Sequence, residues 1–90
     1  MGRKQKPEAP DLRRLLGRNL VEHRGRVGLS QQGTADRAGL HRTEVALIES
    51  GKRLPRLDTI VKLAGAVEVE PCALLMGMAW ELDPPKGGSK

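Results

Sequence analysis

The sequence predicts an all-α chain, a compact set of five short helices, and three observations carry that expectation. Apolar residues recur at helical spacing in successive short stretches, most of them closed by glycine. No stretch alternates apolar and polar residues long enough to make a strand, and there is no internal repeat or low-complexity run. With 90 residues, 38% of them apolar and 30% charged, the chain has material for one modest core and no second domain.

The elements follow in order. Residues 1–10 carry Arg3, Lys4, Lys6 and two prolines with little that is apolar, and read as a mobile basic arm. The folded unit is expected over residues 11–83. Asp11 is the expected N-cap of a first helix whose Leu12, Leu15, Leu16 and Leu20 share one face, with Gly25 and Gly28 ending it. Ser30 caps a second helix over Gln31–Ala38, which Gly39 ends by accepting a left-handed backbone. A third runs from Arg42 to Ser50, burying Val45 and Ile48, and Gly51 stops it ahead of the basic loop Lys52-Arg53-Leu54-Pro55. A fourth, Leu57–Val67, is expected to bury Leu57, Ile60, Val61, Ala64 and Val67. Pro71 opens a fifth through Leu74 and Leu75, with Gly77 beyond it, and residues 84–90 read as a flexible tail.

Composition narrows the function. One aromatic residue, Trp80, is too few for a module that stacks unpaired bases on exposed rings. A single cysteine, Cys72, with only His23 and His41, forms neither a disulfide nor a structural metal site, so no metal or cofactor is expected and a reducing cytoplasm is the natural compartment, at the nucleoid for a DNA reader. Paired carboxylates, a nucleophile with its base and a phosphate-cradling glycine loop are all missing at usable spacing, which argues against an enzyme with catalytic residues. The longest nearly apolar run, Ala73 to Trp80, is far short of a membrane span.

The charge is one-sided. Met1 to Arg56 carries 13 basic and 6 acidic residues, a balance of +7, whereas Leu57 to Lys90 carries 3 basic and 5 acidic, a balance of −2. By itself this fits a surface facing a polyanion and an ordinary solubilising surface equally well. Local order favours the first. Counting from Gln31, a small Ala35 stands fifth, Gly39 ninth, Val45 fifteenth and Ile48 eighteenth. Ala35 lets two helices cross closely, Gly39 makes the turn, and Val45 with Ile48 anchors the second helix from beneath, so that its opposite face is free to enter a major groove.

The segments LSQQGTADRAGLHRTEVALIESGKRLPRLDTI and VKLAGAVEVEPCALL resemble the lambda-repressor-like (Cro-type, XRE) helix-turn-helix family over roughly Leu16 to Leu75. Shared features are the Gly-Leu-Ser-Gln opening, the Ala-to-Gly turn, Ile-Glu-x-Gly, Pro-x-Leu and the final Pro-x-x-Leu-Leu. The resemblance implies a five-helix domain that binds double-stranded DNA, usually as a dimer on a palindromic operator, with the third helix in the major groove. Carried onto this chain, Arg42, Thr43, Glu44, Ala46 and Leu47 are the base-reading candidates. A cation at a helix start is disfavoured by the dipole, so Arg42 invites an anionic partner and is suited to guanine O6 and N7. Gln31, Ser50, Lys52, Arg53 and Arg56 are the expected phosphate contacts. Arg24 and Glu49 stand where the family forms a partly buried ion pair joining the first and third helices.

Departures from the family pattern are legible too. Gly33 and Thr34 replace a helix former and a leucine, which predicts a soft second helix, while His41 is a weak cap and His23 a semi-exposed packing residue. Cys72 is expected to be a small buried packing residue. Leu74, Leu75, Met76, Met78, Ala79 and Trp80 are more apolar than so small a core needs, so Leu74, Leu75, Met78 and Trp80 are the expected homodimer interface. The resulting expectation is a sequence-specific transcriptional regulator, most simply a dimeric repressor. The alternative is a protein-binding adaptor, such as an antitoxin or a coactivator with a protein partner.

Overall fold

The structure, a computed structural model, describes residues 9–80 and 82. Five helices follow one another: α1 (Ala9–Arg26), α2 (Gln31–Ala38), α3 (Arg42–Glu49), α4 (Leu57–Ala66) and α5 (Pro71–Leu74), with no strand among the described residues. The expected basic arm lies almost wholly outside this range, as does the expected tail. Asp11 is not an N-cap, because the backbone is already helical at Ala9 and Pro10. Proline is tolerated in a first helical turn, where its missing N–H has no intrahelical acceptor to lose. Gly25 likewise stays helical. The chain reverses at Gly28, whose φ of 72° demands a left-handed backbone, and Leu29 N–H donates to the Arg24 carbonyl across the turn.

The bounds of α2 and its caps match expectation. Ser30 Oγ accepts the Gly33 N–H at 2.9 Å, and Gly39 closes the helix at φ 73°. Thr34 is fully buried where relatives carry an apolar group; its hydroxyl donates to the Ser30 carbonyl at 2.9 Å, so its methyl packs inward with no polar atom left unpaired. α2 packs on α3 and α4, α1 crosses α3, and α5 rests on α4 and α1. Leu16, Leu20, Ala35, Val45, Ile48, Leu63, Ala64, Val67 and Leu74 meet in one core.

α4 is rotated from the expected face. Leu57, 72% exposed, and Val61 point outward, while Thr59, Ile60, Leu63, Ala64 and Ala66 point in. Residues 59, 60, 63 and 64 lie on one helical stripe of their own, and Leu57 with Val61 lies on the opposite one. Leu74 is also corrected: it is wholly buried against the core and is no part of a surface. Cys72 is exposed rather than buried, since the single turn of α5 turns only Leu74 fully inward.

Two polar clasps that the sequence did not reveal close the bundle. Arg37 donates to the Ala66 carbonyl at 3.0 Å and to Glu68 at 2.9 Å, tying α2 to the end of α4, where Glu68 adopts a left-handed φ of 66°. Asn19 donates to the carbonyls of both Leu74 and Met76 at 2.9 Å, fastening the end of α5 to α1. Asn19→Ala leaves both carbonyls without this donor. Chemical denaturation should show a loss of about 1–2 kcal/mol, with hydrogen exchange rising first in residues 71–78.

Candidate nucleic-acid interface

The turn between α2 and α3 is three residues long, and its geometry follows from Gly39 and from backbone bonds. Leu40 N–H donates to the Ala35 carbonyl at 2.9 Å, and the His41 carbonyl accepts from Glu44 and Val45, starting α3. His41 contributes no side-chain cap, as its residue type predicts. Val45 and Ile48 are fully buried. With those two fixed inward, Arg42 and Thr43 are exposed at the start of α3, and Glu44, Ala46 and Leu47 are half-buried beside them. All five expected base-reading residues therefore lie on accessible surface, and neither Thr43 nor Leu47 is sealed in the core.

Cations flank that helix. Beyond Gly51, whose φ of 78° turns the chain, Lys52 and Arg53 are exposed and form no ion pair with a described residue. Their backbone N–H groups both donate to the Leu47 carbonyl, at 2.9 and 3.2 Å, which holds the loop against the end of α3. Arg56 is exposed and pairs with Asp58 at 3.0 Å, an open contact that water screens and another anion displaces at little cost. Ser50 is exposed, with its hydroxyl donating to the Leu47 carbonyl at 3.0 Å.

The anchor beneath is the pair between Arg24 and Glu49. Arg24 Nε donates to Glu49 Oε2 at 2.6 Å and its terminal nitrogen to Oε1 at 3.0 Å, a two-pronged contact between α1 and α3. A third donor of Arg24 reaches the Leu29 carbonyl at 2.9 Å, so the same guanidinium also holds the approach to α2. The hydrogen bond to Glu49 raises the Arg24 pKa above its ordinary value, against a smaller lowering from burial, and the charge of Glu49 adds to the rise. Gln31 does not stand free at the start of α2: its amide nitrogen donates to Glu49 Oε1 at 2.8 Å and its carbonyl accepts from Arg42 at 3.4 Å.

Gly17 went unnoticed in the sequence. Two backbone carbonyls of α3, those of Ile48 and Glu49, lie so near that an added Cβ would stand 2.7 and 2.5 Å from their oxygens. A glycine inside an otherwise strong helix pattern was the available signal. It brings α1 close enough for Arg24 to reach Glu49. Among the described residues no helix is long and apolar enough to cross a membrane.

The likeness to known proteins is specific to this arrangement. The helix-turn-helix family model HTH_3 matches residues 20–74. Over 65 residues the chain is 34% identical to the control protein C.SmaI of Serratia marcescens, covering 72% of this chain and 77% of that one. Its fold is similar to the crystal structure of the restriction-modification controller protein C.AhdI of Aeromonas hydrophila, with 40% identity, a TM-score of 0.67, and coverage of 69% of this chain and 94% of that one. A hypothetical transcription factor from Neisseria, NHTF, shares 33% identity with a TM-score of 0.71, covering 84% of this chain and 87% of that one. The exposed third helix, the glycine turn and the matched segment agree, and the chain belongs to the helix-turn-helix family of DNA-binding transcriptional regulators.

Proposed function

We propose that this regulator is a dimeric repressor that reads an inverted repeat in duplex DNA. The exposed start of α3, set between cationic loops and backed by buried Val45 and Ile48, is the observation that carries the reading. Arg42 addresses a guanine, the Thr43 methyl and Leu47 address thymine methyls, Glu44 accepts from a cytosine amine, and Ala46 admits close approach. Lys52, Arg53 and Arg56 bind phosphates, joined by Ser50 and by the remaining amide hydrogen of Gln31. Two copies meeting through Leu75, Met78 and Trp80 would set the two α3 helices about 34 Å apart, one turn of the duplex. Trp80 is 66% exposed and so is not spent on the protein's own core. Similarity to C.SmaI and C.AhdI favours a controller of the kind their names describe.

Selection of bound fragments from random duplexes, followed by titration of variants against the selected site, tests this. Arg42→Ala should relax preference at one base position in each half-site by about 1–3 kcal/mol, whereas Lys52→Ala should weaken all duplexes alike and flatten the salt dependence by about one counterion. Equal loss on selected and random DNA would overturn the role of Arg42. Sedimentation of Trp80→Ala as a monomer under conditions where the parent is a dimer would support the interface. A stoichiometric protein partner, with no selected site emerging, would replace the whole reading with an adaptor.

A further inference from the structure

The partly buried ion pair and the exposed start of α3 are joined by one side chain. Glu49, whose side chain is 5% exposed, has its carboxylate filled from within: Oε2 takes Arg24 Nε, and Oε1 takes a second Arg24 donor and the Gln31 amide nitrogen. On its other side Gln31 Oε1 accepts from Arg42, the first residue of α3. We propose that Glu49 is a positioning residue for Arg42, acting through Gln31, so that the pair between α1 and α3 also sets how Arg42 presents itself to a base. The inference rests on the reading above that Arg42 contacts a base.

The order of the chain follows from donor and acceptor chemistry. An ionised carboxylate only accepts and a guanidinium only donates, while an amide has one end of each kind. Gln31 stands between the two. Its NH2 must therefore face Glu49 and its carbonyl Arg42; the flipped amide would set oxygen against carboxylate and hydrogens against guanidinium. Arg24 completes the support from behind, because its bond to the Leu29 carbonyl fixes the backbone two residues before Gln31. The ion pair does not need Gln31, since Arg24 alone bridges both carboxylate oxygens. What Gln31 adds is a direction. Arg42 commits one of its five N–H donors to it and keeps the others for a base edge. At 3.4 Å and exposed, that last bond biases Arg42 rather than locking it, so the effect on recognition is graded.

Gln31→Met is the discriminating variant, because it keeps length and helix propensity, leaves Arg24 and Glu49 paired, and removes both polar ends. Three readouts are taken on the full chain: unfolding by urea, NMR relaxation of the Arg42 Nε–H without DNA, and the affinity ratio at the base position that Arg42→Ala identifies. The expected result is near-parental stability, a more mobile Arg42 Nε–H, and a roughly three- to tenfold fall in the ratio. In the Arg42→Ala background, Gln31→Met should change that ratio no further. An Arg42 Nε–H as ordered as in the parent, or an unchanged ratio with an even loss on all duplexes, would overturn the relay. If Arg42→Ala leaves base preference intact, the assignment of Arg42 to a base fails, while the relaxation measurement still decides whether Glu49 and Gln31 order its side chain.

Discussion

Gly17→Ala should be among the most damaging single-methyl additions this chain can receive. In isolation the change favours α1, since alanine exceeds glycine in helix propensity by about 1 kcal/mol. Packing opposes it. The new methyl would stand 2.5 Å from the Glu49 carbonyl oxygen and 2.7 Å from that of Ile48. Both are backbone atoms of one helix, so no side chain can swing aside, and α1 must move bodily away from α3. That movement loosens Leu16 and Leu20 and lengthens the reach of Arg24 to Glu49. A net loss of about 2–3 kcal/mol is expected, a large part of the roughly 5 kcal/mol that a domain this small holds. Thermal unfolding should show it as a fall of roughly 10–20 °C. Gly25→Ala in the same helix is the control. With nothing within 4 Å of its would-be Cβ, it should stabilise by about 0.5–1 kcal/mol. Opposite signs at two glycines eight residues apart would locate the effect in the crossing; equal signs would refute that account.

The contrast between these two glycines marks what could be read from the sequence. Local signals carried α2 and α3 to the residue, because Ser30, Gly39 and Gly51 act within their own turns. The exposed set Arg42, Thr43 and the half-buried Leu47 followed from the same source, since placing Val45 and Ile48 inward leaves the others outward. Where a partner helix decides, the sequence misled. Leu57 and Val61 are apolar at helical spacing and still face outward, because α4 turns Thr59 and Leu63 to the core instead. Leu74 looked like surplus apolar surface only because its cover, α1 and α4, lies far off in sequence. Asn19 and Arg37 act across 55 and 29 residues on backbone carbonyls, and a carbonyl has no identity to read in advance. The Gln31 contacts are of this kind as well. Its family position spoke for a phosphate, whereas the fold sets Glu49 and Arg42 on its two ends.

Arg24→Met carries the other large expected loss, and its asymmetry with Glu49→Leu tests how the ion pair works. Removing Arg24 leaves the Glu49 carboxylate, 5% exposed, with the Gln31 amide as its one remaining donor, and also strips the Leu29 carbonyl of its partner. A desolvated anion without its counter-charge costs about 3–5 kcal/mol, close to the whole stability of the domain. Glu49→Leu leaves the opposite remnant. The Arg24 side chain is 20% exposed, its stem can shift toward water, and it keeps the Leu29 carbonyl, so this variant should lose less. The double variant Arg24→Met/Glu49→Leu removes both charges and should recover most of the deficit of Arg24→Met, because an ion pair taken from water at such cost contributes little net stability against apolar groups of similar size. Urea unfolding of the four proteins at one pH decides the matter. A double variant as unstable as the sum of its parents would mean that the damage comes from lost packing between α1 and α3 and not from a stranded charge. The recovered double variant would also have nothing left to orient Gln31. It should therefore fold and bind duplex DNA with a weakened preference at the base that Arg42 reads, separating the stability of this fold from the accuracy of its reading.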